Sequence, residues 1–302
     1  MKDPPAARIR RRLIALLALL SAAACAPAVS DGIPLHLVGS SVTGGGGAAG
    51  EEMLDLSFTT PGGDTIEAVL RRPVTAVDDR RRPAVVLLAG RETGRQAAAV
   101  IPGPLESWVL AVEYPDVLPA TADPGELLGG MPDVRASAYR VTGILRGAVR
   151  FLAAQPGVDP GRIGLVGVSF GVPFVAAAAA GDTLPCCVAL HHGGAGLATL
   201  FRANLPIRSA PLRAIAAAFA ARYFHRLEPA AHVGSIAPTP LLLINGEHDS
   251  LVPRSSAERL MAAARPPVRQ LWLPHDHLMP DDLPLMRELA DSTLAHFPQL
   301  RR

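Results

Sequence analysis

Lysine is almost missing from this chain: Lys2 is the only one in 302 residues, and arginine supplies the rest of the positive charge. Aromatic side chains make up 4% and charged ones 19%. A nucleic-acid surface needs basic residues interleaved with aromatic platforms, and no such stripe is present. The charge balance excludes it further. The formal net charge is +2, yet Lys2, Arg8, Arg10, Arg11 and Arg12 crowd into the first 24 residues against Asp3 alone. The remainder holds 24 basic and 26 acidic residues, a net charge of −2, so nothing draws it to nucleic acid or anionic lipid. Cysteine is sparse too. Cys25, Cys186 and Cys187 imply no disulfide framework. The vicinal pair reads as buried thiols on opposite faces of a strand, because a bond between neighbours needs strained geometry.

What is abundant is apolar residue, 49% of the chain, enough for one large α/β domain or two small ones. Arg8-Ile-Arg-Arg-Arg12, the apolar run Leu13–Leu20 and Ser21-Ala-Ala-Ala-Cys25 read as a cleavable export signal over residues 1–24. Cleavage after Ala24 would leave Cys25 first, as in a bacterial lipoprotein, so Cys25 is a candidate for lipid attachment and a membrane tether; plain secretion is the alternative. The paired arginines also leave the twin-arginine route open. This points to the cell envelope or to a secreted or periplasmic form. Residues 25–50, rich in Gly, Ser and Pro, read as a flexible tether without fixed structure.

From residue 51 onward the pattern alternates. Leu54–Thr60 and Thr65–Arg71 around Pro61-Gly-Gly-Asp64 predict a hairpin. Continuous apolar runs at 82–90, 107–114, 162–166, 184–190, 240–245 and 271–273 predict buried parallel strands, with helices at 134–154, 172–180 and 283–297 between and after them. Strands alternating with helices give an α/β class with a mostly parallel sheet covered on both faces. The long excursion 196–237 carries Leu212, Ile215, Ala216, Phe219 and Tyr223 at helical spacing and is expected as a small helical cap or an outer helix.

The stretch that organises the chain is Gly167-Val-Ser-Phe-Gly171, between the strand 162–166 and the helix that follows. A serine hydroxyl is a weak nucleophile and gains by projecting from a tight, strained strand-to-helix turn. Side chains at Gly167 and Gly171 would collide where strand and helix cross, and the N–H of Phe170 is placed to bind a developing oxyanion. After that strand-to-helix turn, Glu247 and Asp249 sit in one loop, and His275 and His277 in another.

The order of elements, Gly167-Val-Ser-Phe-Gly171, the preceding Val158-Asp-Pro-Gly-Arg-Ile-Gly164, and Leu243-Ile-Asn-Gly-Glu-His-Asp249 with Leu251-Val-Pro253 resemble the α/β-hydrolase superfamily, in its dienelactone-hydrolase-like and prolyl-oligopeptidase-like branch. The resemblance spans about residues 51 to 300. It implies the α/β-hydrolase fold and a triad of Ser169, Asp249 and His277, with Arg91 as second oxyanion donor through its backbone N–H. Val172 departs from the pattern, which often has a third glycine there. His191 and His192, at the carboxyl edge of the sheet, are candidates for the pocket wall. His275 and His277 with Asp276 between them lack a further ligand cluster, so no metal is expected, and no organic cofactor is implied. The expected activity is an exported serine hydrolase acting on a small-molecule acyl ester, of short to medium chain or otherwise hydrophobic. A thioesterase, acyltransferase or peptidase with the same triad, and a non-catalytic envelope binding protein on this fold, are the alternatives.

Overall fold

Nine strands form one sheet among the residues that the computed structural model describes, 32–44, 50–74, 80–102, 105–115 and 124–301. The strands are β1 (His36–Gly44), β2 (Glu51–Thr59), β3 (Thr65–Pro73), β4 (Arg82–Leu88), β5 (Trp108–Val112), β6 (Val158–Val168), β7 (Cys187–His191), β8 (Leu241–Gly246) and β9 (Val268–Leu273). Their order across the sheet is β1-β2-β3-β5-β4-β6-β7-β8-β9. Pairing is antiparallel from β1 to β5 and parallel from β5 through β4 to β9.

The parallel half explains the unbroken apolar runs. Both faces of β4 are buried: Ala84, Val86 and Leu88 enter one core cluster, and Leu87 the opposite one. On the first face lie α1 (Pro124–Ala153) and α2 (Val172–Ala179); on the second, α6 (Leu283–His296) and the turn at Pro298–Leu300. Between β7 and β8 come α3 (Leu197–Asn204) and α4 (Ala210–Tyr223), and α5 (Arg254–Ala263) follows β8. Tyr139 on α1 donates its hydroxyl to the Tyr223 carbonyl at 3.0 Å, and Arg135 lies over the Tyr223 ring. The Glu228 carboxylate accepts the N–H groups of Gly196 and Leu197, closing the 196–237 excursion at its base.

Three local expectations are corrected. Residues 36–44, assigned to the tether, form β1 along the outer edge of β2. An edge strand needs a free row of backbone partners more than an apolar face, and Val38 and Val42 point to solvent, so no alternation marked it. The long helix starts at Pro124, ten residues before the periodic pattern, and runs through Pro132, a residue that alone argues for a break. Cys186 precedes β7 and is not within it, so the two thiols do not alternate: both pack into the second cluster, free, with sulfurs 3.7 Å apart. Residues 1–31, which carry the expected export signal and Cys25, lie outside the described residues. No helix among the described residues is long and apolar enough to cross a membrane.

Candidate active site

Ser169 ends the climb of β6 at φ 54°, in the left-handed region that residues other than glycine rarely adopt. The turn is compact for the reason the motif implies. A Cβ on Gly171 would run into the Leu88 carbonyl, and one on Gly167 would lie 2.8 Å from the Val175 Cβ. The hydroxyl oxygen of Ser169 lies 2.7 Å from Nε2 of His277.

His277 is buried, and its Nδ1 lies 3.0 Å from each oxygen of Asp249. A carboxylate only accepts, so Nδ1 carries the proton and Nε2 presents its lone pair to the serine hydroxyl. The structure therefore brings together the three side chains named from the sequence. Their rivals lie elsewhere: Glu247 is exposed, and His275 turns away to pair its Nε2 with Glu288 on α6 at 2.9 Å. Asp249 also accepts the N–H groups of Leu251 and Val252, so it caps the turn leading into α5 as well.

Two residues have parts that sequence reasoning missed. His192, at φ 50° just past β7, donates Nδ1–H to Asp249 at 2.9 Å, and its ring meets that of His277 edge to face, centroids 5.3 Å apart. It is wholly buried, and its Nε2 has no partner among the described residues. Burial pushes the Asp249 carboxyl upward in pKa. The hydrogen bonds from His192 and His277 outweigh that and hold it well below the usual carboxylate range. Asp276, noted in the sequence only as part of an H-x-H pattern, accepts the N–H groups of Ser250 at 2.8 Å and His277 at 2.6 Å. It joins the acid loop to the base loop. Adjacent charged loops in a sequence carry no sign of such a cross-link.

On the oxyanion side, the loop after β4 comes up beside the serine: a Cβ on Gly90 would stand 3.8 Å from the Ser169 Cβ. Thr93 and Gly94 both donate N–H to the Gly90 carbonyl, folding Arg91 back toward the site. Phe170 packs its ring against Tyr114 and Phe174, each centroid 5.4 Å away, and Tyr114 donates its hydroxyl to the Ala89 carbonyl. Arg91 and Phe170 both border a cavity of about 750 Å³ that opens at Ser169 and His277. His191 lines the same cavity, Nε2 at 3.0 Å from the Thr293 hydroxyl; burial first, and the neighbouring His192 second, lower its pKa to about 3. Among the described residues His192, Asp249 and His277 are the one cluster with metal-ligand atoms close together, within 4.8 Å. Both Nδ1 atoms there are committed as donors to the carboxylate, and Nε2 of His277 to the serine, which leaves no open ligand set facing an ion.

Residues 145–272 match the family model of the prolyl oligopeptidase family. Among solved structures, an acetyl xylan esterase of a Paenibacillus species superposes with a TM-score of 0.61 at 18% identity, covering 93% of this chain and 92% of that one. The chain has the α/β-hydrolase fold. A second acetyl xylan esterase, from a Thermoanaerobacterium species, superposes on this chain at 0.60 with 15% identity and the same coverage of both chains. A puromycin-hydrolyzing peptidase of Mycobacterium tuberculosis gives 0.56 at 21% identity, over 79% of this chain and 38% of that one. An uncharacterized protein of the same bacterium is 29% identical over 192 residues, 64% of this chain and 61% of the relative, so the chain spans under two thirds of the relative's length. The departure at Val172 is accommodated locally in this chain. Val172 is fully buried against Gly193, where a Cβ would stand 2.5 Å from either methyl.

Proposed function

We propose that this α/β-hydrolase is an exported serine hydrolase that cleaves a carboxylic ester through an acyl-enzyme. His277 Nε2 takes the proton of Ser169 as Oγ attacks the carbonyl carbon, and Asp249 holds the resulting imidazolium. The N–H groups of Phe170 and Arg91 receive the oxyanion. Collapse breaks the bond to the leaving alcohol, which departs with the proton held by His277. Water, deprotonated by the same nitrogen, then attacks the acyl-enzyme and releases the carboxylic acid and free Ser169.

The observation that carries this reading is the 2.7 Å approach of Ser169 Oγ to a His277 whose far nitrogen is fixed on Asp249. The acetyl xylan esterases of similar fold favour an ester over other acyl groups. The prolyl oligopeptidase match favours a second reading, cleavage of a peptide or aminoacyl amide with the same residues. A fluorophosphonate probe should label the wild type and not Ser169→Ala. An ester, thioester and aminoacyl-amide panel then separates the chemistries, and absence of labelling on folded protein would leave only a binding role.

Export is part of the proposal. The run Arg8–Leu20 and the small residues before Cys25 support it. Mass spectrometry of the mature N-terminus should find an acylated Cys25, lost in Cys25→Ala; a protein beginning at another residue would replace anchoring with simple secretion.

A further inference from the structure

The cavity below Ser169 is larger than an acetyl group requires. One wall is the second face of the sheet, where Val85 and Leu87 on β4 and Ala89 just past its end alternate toward it, with Val166 and Val168 on β6 beside them. The facing wall is α6, through Met286, Ala290 and Leu294, one helical turn apart. Ala89 follows Leu88, which pairs with Gly167 two residues before the serine; from Ala89 to Val85 is four residues, or about 13 Å at about 3.3 Å each. Leu300, fully buried, adds an apolar surface to the same cavity.

We propose that this slot between the sheet and α6 houses the alkyl chain of a medium- to long-chain acyl ester, with its carbonyl at Ser169. The proposal rests on the acyl-transfer reading and names its substrate class. The lining is mostly apolar. Leu87, Val166 and Leu289 are buried core residues, so the slot is carved out of the second core cluster and is not a surface furrow. An apolar space of this kind is poorly hydrated and gains by taking an apolar guest. The hydroxyls of its buried threonine and serine are already bonded within the protein. Thr293 donates its hydroxyl to the Leu289 carbonyl and accepts from His191, and Ser107 donates to the Leu300 carbonyl. His191 stays uncharged near neutral pH. Of the bordering charged residues, Glu92, Glu106, Asp291 and Arg301 are exposed, and Arg91, on the loop after β4, is half-buried. A sugar or peptide acyl group would find those hydroxyls already committed.

The test is a chain-length series on the full-length protein with p-nitrophenyl acetate, butyrate, octanoate and laurate. The expected kcat/KM for octanoate exceeds that for acetate at least tenfold. Val85→Phe and Ala290→Phe, which fill the slot from opposite walls, should each lower the octanoate-to-acetate ratio about tenfold or more. Remaining acetate turnover reports that each variant is folded. Calorimetry of Ser169→Ala with laurate gives a readout without catalysis: binding is expected, weakened when Ala290→Phe is added. A wild type that prefers acetate, or a ratio that neither substitution moves, overturns the slot. Failure to cleave any ester sinks the esterase reading instead, and laurate binding by Ser169→Ala then decides the slot by itself.

Discussion

At Ser169, a backbone held at φ 54° and an oxygen 2.7 Å from an imidazole nitrogen concentrate the chemistry in a few atoms. Less expected is that Asp249 serves two imidazoles. A hydrogen bond to a charged group is worth about 1.5–3 kcal/mol. If the bond from His192 keeps the carboxylate aimed at His277, its loss should appear in kcat and not in KM. His192→Leu is expected to lower kcat on a cleaved ester about tenfold or more. His192→Asn, which can place a donor where Nδ1–H was, should recover much of that loss. Equal kcat in both variants would reduce His192 to a packing residue. The choice between His275 and His277 was open on the residues alone and was settled by a family resemblance. The physical difference lies in direction: one ring turns inward to Ser169, the other outward to Glu288.

Between elements, volume is exchanged across the site. Val172 fills the space a glycine would leave at the head of α2, and Gly193 after β7 makes room for it. Gly193→Ala is expected to destabilise by about 1–3 kcal/mol through overpacking, and Val172→Ala in the same chain should restore most of it; urea melts of the four proteins measure the coupling. The residues stand 21 positions apart, so no local pattern shows the pair. The acid and base loops are joined similarly by Asp276. Asp276→Ala should slow turnover with little change in KM, and Asp276→Asn, which keeps an accepting oxygen, should slow it less. Fluorophosphonate labelling rates for both variants provide the check.

For the whole molecule, the buried histidine sets the response to acid. His191 is held near 3 in the fold but titrates at about 6.5 when exposed. The unfolded chain therefore binds the extra proton first, and stability falls as pH drops from about 6.5 toward 3. Asp249 is depressed, so its contribution is intact above about pH 3.9 and fades only below it. Melting temperature should decline between pH 6.5 and 4 in the wild type and decline less in His191→Gln. Parallel curves would place the acid sensitivity elsewhere in the protein.

The sequence alone determined the layered α/β architecture, because strands buried on both faces must be apolar throughout and the helices between them must be periodic. It also determined the serine turn, because only small residues fit where β6 and α2 meet. What the tertiary structure decided depends on direction and on distance along the chain. It decided that a glycine- and serine-rich segment would pair as β1, that His192 would reach Asp249 and Asp276 bind two loops, and that the apolar faces of β4, β6 and α6 would stand apart enough to leave a slot. Hydrophobic pattern records which residues avoid water; it does not record how closely two apolar walls approach, and that spacing is what makes a core or a cavity.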